Sequence, residues 1–392
     1  MSKAMAAIEK SGLKDALVVH HDEADGLCSG ALTKKALERM GLRTRLVCLD
    51  KLYPEVVKDL ESGPRQIIAY SDIGSGHVEW LTSGNQSKNP ILILDHHDTE
   101  ETEDPLVYNL NPELYTYSGE KDACSSTIAY LFAKVVNPSL ASFAPLAIIG
   151  SDEIPGEATG LNLIPVEDGE KNQRAVRTSK GGLKLQIGER SISPSRASSS
   201  LNVLGSVGYY RGGPALGIKA CVDGFSGEIL STAKRLEEER KAANQKMLTS
   251  IRDKGLNHLK NVQWFHAHDT YNGMSGKVVG SFCSYLSYQR QVNPAKYLIG
   301  MMNVPADIPG WGKLSSPLVK VSGRVPQQLA MMLESGNRRP LSRILPEACE
   351  KLGGFGDGHT VAASGVFPVG QEERFVKEID RLAGISVDGL TP

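Results

Sequence analysis

Four short apolar runs in the first half of the chain each end in a cluster of aspartate and histidine. ALVV (16–19) runs into His20-His21-Asp22-Glu23-Ala24-Asp25. QIIAY (66–70) runs into Ser71-Asp72, ILIL (91–94) into Asp95-His96-His97-Asp98, and LAIIGS (146–151) into Asp152-Glu153. Short Val, Ile and Leu runs separated by helical stretches read as strands of a parallel sheet covered on both faces. In such a sheet the carboxyl ends of the strands open onto one crevice, where ligands bind. The pattern therefore predicts acids and imidazoles converging from four strand ends. That much negative charge is unfavourable at one point without a cation. Mixed carboxylate and imidazole donors suit Mn²⁺ best, then Mg²⁺, with zinc behind both. Two such ions about 3.5–4 Å apart can activate a water and stabilise in-line displacement at phosphorus.

The remaining composition sets bounds. The 392 residues, 40% hydrophobic and 23% charged, are an ordinary globular composition of two or three domains. A net charge of −1 excludes binding driven by global charge, so a nucleic-acid partner needs a local basic patch. The two cysteines nearest in sequence, Cys28 and Cys48, are twenty residues apart, so no CxxC zinc or redox spacing exists. The thiols read as reduced and buried. The charged N-terminus is no signal peptide, and no apolar run approaches a membrane span. These features together predict a cytoplasmic protein with no membrane partner.

Along the first half, Ser29 to Met40 reads as a helix ending at Gly41, and Arg45 to Leu49 as a further strand. Ser125 to Val136 reads as a helix stopped by Asn137-Pro138. Residues 154–227 are rich in Gly, Ser and Pro. Within them, residues 171–219 hold nine cations against the single acid Glu189, a local charge of +8. This is either a solvated loop or a contact surface for a polyanion. Tyr209, Tyr210 and Arg211 either add stacking surface for bases or simply pack. Residues 228–260 have the spacing of a long amphipathic helix joining two domains. From 261 to 392, strand-like runs at 262–265, 297–302 and 318–321 predict a second, smaller α/β domain. The reading is thus an α/β chain, with a parallel-sheet domain over 1–227, a connecting helix over 228–260 and a smaller domain over 261–392.

The second half has a glycine-rich stretch, Gly353-Gly354-Phe355-Gly356-Asp357-Gly358-His359, followed by Ala362-Ala363 and Gly365. Such a stretch lets backbone N–H groups approach an anion. Ser322-Gly323-Arg324 precedes it.

These motifs resemble the DHH phosphoesterase superfamily. Asp95-His96-His97 stands as its name triplet. His21 to Ser29 is similar to its first motif HxDxDGxxS, and Asp72 and Asp152 match its second and fourth. The C-terminal half resembles the DHHA1 domain through Ser322-Gly323-Arg324 and the GGGH-like stretch. Within the superfamily the likeness is closest to archaeal RecJ-like single-strand exonucleases. The resemblance implies that His21 and Glu23 hold one ion, and that Asp25, His96 and Asp152 hold a second. Asp72 would bridge the two, Asp95 would orient ligands, and His97 would touch the scissile phosphate, with a water between the metals attacking phosphorus. Ser322, Arg324, Gly354, Gly356, Gly358 and His359 would grip the substrate away from the scissile bond, with Lys320 and Arg338 as helpers or plain surface.

One position departs from the pattern. Glu23 stands where the family has Asp. Either the longer carboxylate ligates in its place, or a one-residue bulge makes His20 and Asp22 the ligands. The implied activity is exonucleolytic hydrolysis of single-stranded DNA or RNA to nucleoside monophosphates, with two divalent ions, Mn²⁺ before Mg²⁺. Two rivals stand beside it. One is a phosphodiesterase or phosphatase for short oligonucleotides, cyclic dinucleotides or 3′-phosphoadenosine phosphate. The other is a weakly active or inactive binding protein associated with replication or repair and its protein partners.

Overall fold

β1 (Asp15–His21) pairs in parallel with β2 (Arg43–Leu49) on one side and β3 (Ile67–Ser71) on the other. With β4 (Ile91–Leu94) and β5 (Val107–Asn109) they make a parallel sheet of five strands in the order β2-β1-β3-β4-β5. That order reverses direction between β1 and β3, and the reversal opens a crevice at the carboxyl ends of those two strands. β1 ends at His21, and Asp72 directly follows β3.

The structure is a computed structural model and describes residues 1–385 except Lys180, Ser335 and Asn337. It divides into one unit of Met1–Leu236 with Ile308–Gly312 and another of Glu237–Asp307 with Lys313–Pro392. Around the first unit's sheet lie α1 (Ser2–Lys10), α2 (Ala24–Arg39), α3 (Pro54–Ser62) and α4 (Val78–Gly84). α5 (Ser125–Val136) and α6 (Ala144–Ser151) pack against α2. The core of the sheet is aliphatic: Leu17, Val18, Val19, Ile67, Ile68 and Ile91 are fully buried.

Two sequence expectations change here. LAIIGS is not a strand but the body of α6. Residues Ala144 to Gly150 are all buried, and a helix apolar on every side cannot be told from a buried strand by periodicity. The signal for helix was Pro145, which sits in its first turn. The helix expected from Ser29 begins five residues earlier, at Ala24, so Asp25 and Gly26 belong to its first turn.

The Gly/Ser-rich segment is largely ordered. It contains α7 (Leu163–Lys171), a three-stranded antiparallel sheet of β6 (Ala175–Arg177), β7 (Leu183–Ile187) and β8 (Arg190–Ile192), then α8 (Pro194–Asn202) and α9 (Gly213–Asp223). Lys180 of the +8 stretch lies outside the described residues. Tyr209 is fully buried, its hydroxyl donating to the Cys48 carbonyl at 2.8 Å, so it packs and offers no stacking surface. The long helix, expected over 228–260, is α10 (Gly227–Lys254), and the division between the units falls within it.

The second unit holds a mixed six-stranded sheet in the order β15-β16-β14-β11-β10-β9. Its strands are β9 (Asn257–His258), β10 (Val262–His266), β11 (Tyr297–Val304), β14 (Leu318–Arg324), β15 (Phe355–Gly358) and β16 (Ala362–Pro368). β12 (Asp307–Ile308) and β13 (Gly312–Lys313) form a separate ribbon. α11 (Lys277–Leu286) is the crossover between the parallel pair β10 and β11. α12 (Gln327–Glu334), α13 (Leu341–Glu350) and α14 (Glu372–Ala383) complete the unit. Val319 and Val321 of β14 join the core with Leu341, Ile344, Phe367 and Phe375. By the two-residue period of a strand, Lys320, Ser322 and Arg324 face the other way. There Gly276 and Gly280 leave room for them: a Cβ on Gly276 would strike the Lys320 side chain, and one on Gly280 would crowd Ser322 Oγ.

Candidate metal centre

Asp72 lies at the middle of the cluster. It follows β3 with φ of +63°, a left-handed conformation that an aspartate tolerates better than most residues, and its N–H continues the ladder to the Leu94 carbonyl. Its Oδ2 faces His21 Nδ1 at 3.5 Å. Its Oδ1 faces His96 Nε2 at 3.6 Å and His97 Nδ1 at 3.9 Å. Asp72 is buried, and Oδ1 has no hydrogen-bond partner among the described residues. Burial and the neighbouring Asp25 push its pKa up to about 7, with the two histidines opposing. A buried carboxylate with one oxygen toward one imidazole and the other toward two, at spacings too long for hydrogen bonds, suits a divalent cation.

The surrounding residues hold this arrangement. His96 Nδ1 donates to the Gly119 carbonyl at 2.7 Å, which leaves the Nε2 lone pair facing Asp72 and, at 3.8 Å, Asp25 Oδ2. Gly119 has to be glycine, because a Cβ there would overlap the His96 carbonyl. Asp25 caps α5: Oδ2 accepts from Ser125 N–H at 2.8 Å and Oδ1 from Ser126 N–H at 2.9 Å. Gly150 allows that approach, since a Cβ would collide with Ser126 Oγ and Asp25 Oδ1.

Asp95 is saturated from the protein side. Oδ2 accepts from Ser75 N–H and Oγ–H at 3.0 and 2.8 Å, while Oδ1 accepts from His96 N–H at 2.8 Å and pairs with His97 Nδ1 at 2.7 Å. Burial alone would raise its pKa, but His97 holds it well below the usual carboxylate range. The side chain of His97 is 55% exposed, against 19% for His96 and 3% for Asp72. It is the member of the triplet that reaches outward, and Asn111 steadies it by donating to its carbonyl at 2.7 Å.

In the first motif the two neighbouring histidines face different ways. His20 is buried beneath α2, with Gly30 against its ring and its Nδ1 at the His21 carbonyl, so it does not face Asp72. His21 does. Both carboxylates lie near it, Glu23 Oε2 at 3.6 Å from Nδ1 and Asp22 Oδ1 at 3.5 Å from Nε2.

At the fourth position two neighbouring acids are placed differently. Asp152 is exposed, and its side chain makes no hydrogen bond or ion pair among the described residues. It lines a small cleft with Lys121, Ser151, Asn162, Leu183 and Pro194. Glu153, also exposed, is the acid that reaches Asp25. Its Oε2 accepts from Asp25 N–H at 3.3 Å, and its Oε1 accepts from Asn202 Nδ2 at 2.7 Å. Asn202 Oδ1 in turn accepts from Ala24 N–H at 2.8 Å, so Glu153 and Asn202 jointly cap α2. Desolvation, then Asp25, push Glu153 up to about 8. Both acids follow α6 rather than a strand, and it is the second of them that the structure brings to Asp25.

In the second unit, Ser322 is buried and accepts from Arg324 Nη1 at 2.9 Å, while Arg324 Nε donates to Ser284 Oγ at 2.8 Å. Lys320, considered as surface, is buried. The glycine-rich stretch is not an open loop. Gly356 and Gly358 lie in β15, paired with Gly365 and Ala363. A Cβ on Gly354 would overlap the Val366 carbonyl, and Gly358 has φ of +146°, so these glycines serve close strand packing. His359 is exposed at the turn that follows, where its N–H donates to the Ala362 carbonyl.

Residues 15–151 match the profile of the DHH family, N-terminal domain. The chain carries a DHH domain. Among curated proteins, an uncharacterized protein from Methanocaldococcus jannaschii is 28% identical over 159 residues, covering 39% of this chain and 36% of that protein. RecJ from Thermus thermophilus, solved in complex with Mn²⁺, is similar in fold with a TM-score of 0.61 at 16% identity, over 97% of this chain and 54% of that one. CDC45 from Entamoeba histolytica is similar with a TM-score of 0.59 at 9% identity, over 98% of each chain. The chain thus spans only about half of the RecJ chain and about a third of the curated relative. Asp72, His96 and His97 of the DHH domain are the one group of three metal-competent side chains within 4.8 Å of one another among the described residues. No described helix is long and apolar enough to cross a membrane.

Proposed function

We propose that the chain is a divalent-metal-dependent phosphodiesterase that hydrolyses single-stranded nucleic acid from an end, releasing nucleoside monophosphates. The observation that carries this reading is Asp72, buried, with one carboxylate oxygen toward His21 and the other toward His96 and His97. His21, Glu23 and Asp72 would hold one cation, and Asp25, Asp72 and His96 a second. Glu153 rather than Asp152 is the acid beside Asp25. Bound there, Mn²⁺ or Mg²⁺ would supply charge for a phosphate and lower the pKa of a water. His97, the exposed imidazole, is kept protonated by Asp95 and donates to a non-bridging phosphate oxygen. Asp95 itself touches no substrate and fixes the ring. The DHHA1-like residues Arg324 and His359 would bind the strand away from the scissile bond.

A second reading is favoured by Glu23. Its carboxylate is longer than the family's Asp and begins α2 in an extended conformation, with its side chain 30% exposed. With the fold likeness to CDC45, this supports a nucleic-acid-binding protein that keeps the metal centre with little turnover.

The deciding experiment is hydrolysis of end-labelled single-stranded DNA and RNA, two to thirty nucleotides long, in Mn²⁺, Mg²⁺ or EDTA. Stepwise shortening that needs Mn²⁺ and disappears in Asp95→Ala supports the exonuclease. Cleavage limited to the shortest oligonucleotides moves the reading to small substrates. Mn²⁺ binding without cleavage selects the second reading.

A further inference from the structure

The basic segment is a built surface. β6, β7 and β8 pair in register, Ala175 opposite Leu185 and Leu185 opposite Ile192, and all three side chains are buried. This inner face seats β7 on α6, α8 and α9. The turn between β7 and β8 is also fixed: Gly188, at φ of +60°, lies so close to the end of α9 that a Cβ would meet the Asp223 carbonyl. The outer face is open. Val176, 57% exposed, lies opposite the exposed Lys184. Arg190, where β8 leaves the turn, and Arg196 on α8 are exposed as well.

Most of the cations on this segment have no ion-pair partner among the described residues. Lys171, Arg174, Lys184, Arg190 and Arg196 form no salt bridge among the described residues. Of the three acids on α7, Glu170 is taken by Arg177 at 2.6 Å and Asp168 by Lys134, and only Glu167 is exposed without a salt bridge among the described residues. An uncompensated cationic surface with an exposed apolar side chain fits a sugar-phosphate strand, whose phosphates would release counterions on binding. α8 starts just after β8 and ends at Asn202, the residue that caps α2 and holds Glu153. Whatever the three strands hold is therefore kept at a fixed offset from the metal centre.

We propose that this three-stranded wing grips the backbone of a single strand outside the metal centre, so that the protein favours long strands over dinucleotides. The proposal rests on the nucleic-acid reading above and names the surface that sets substrate length. The test is the double variant K184E/R190E, with its fold checked by circular dichroism. Binding of a fluorescein-labelled 20-mer oligothymidylate is followed by anisotropy in EDTA across a salt series, and dinucleotide hydrolysis is followed in Mn²⁺. The expected result is at least tenfold weaker 20-mer binding, a salt slope smaller by about two, and dinucleotide hydrolysis within twofold of the wild type. Unchanged 20-mer binding and slope would overturn the wing, as would equal losses on both substrates. Wild-type protein that neither binds the 20-mer nor cleaves the dinucleotide would overturn the nuclease reading as well. Unchanged cleavage by the double variant, with binding intact, would sink the wing alone.

Discussion

Asp95 and His97, two residues apart beyond the end of β4, are joined by a 2.7 Å hydrogen bond from imidazole Nδ1 to carboxylate Oδ1. Partial burial disfavours charge on the ring, but Asp95 outweighs it and holds His97 protonated above the ordinary histidine range. Every other contact of Asp95 runs to Ser75 or to the backbone of the triplet.

Asp95→Asn should therefore cut hydrolysis about 10- to 100-fold, the usual cost of losing an orienting partner. Mn²⁺ stoichiometry by calorimetry should stay at the wild-type value. Turnover equal to the wild type would remove His97 from the role given to it.

Asp72 gives a prediction of opposite sign in stability and function. Without a cation it is a buried carboxylate with an unpartnered oxygen, and such a group is destabilising. Asp72→Asn should raise the Tm of the metal-free protein and abolish the further rise on adding Mn²⁺. In the wild type that rise should correspond to about 2.7 kcal/mol at a hundredfold excess over Kd. A variant that still gains the full Mn²⁺ increment would show that Asp72 is no bridge.

The fourth acid can be separated by two single changes. Glu153→Ala removes the cap of Asp25 N–H and the partner of Asn202, and should lower activity at least tenfold. Asp152→Ala should leave it within twofold. The reverse pattern, in the end-label assay, would restore the assignment made from the motif.

Far from the centre, Glu61 carries a pH signature. It is buried with its pKa raised from 4.5 to about 7, burial outweighing the hydrogen bond from the Tyr70 hydroxyl at 2.7 Å. The folded state then holds a proton that the unfolded chain releases. Its contribution is fully present below about pH 4.5 and is lost as pH rises through 7, a change of about 3 kcal/mol. Glu61→Gln should flatten that part of the profile and be the more stable protein at pH 8, as measured by urea unfolding at pH 5 and pH 8.

The sheet and most of the centre were legible because strand ends and chemistry coincide. His21, Asp72 and Asp95 to His97 each stand at or just after the end of a short aliphatic strand, and parallel pairing puts those ends together. The acids at 152 and 153 were legible as a pair, but the helix before them was not, because an apolar run inside a fully buried helix carries no period. Ser75, Asn111 and Asn202 carry no charge and no spacing signal, and only tertiary structure brings them to the site. The glycines of β15 read as an anion loop because a backbone that must approach phosphate and one that must approach a neighbouring strand ask for the same residue.

Asp25 serves two masters: it faces the proposed ion through His96 and Asp72, and it ties down the first amides of α5. Its oxygens are thus satisfied before any ion arrives, and α5 keeps its start when an ion leaves. Loading and unloading of a cation would then leave the start of α5 in place.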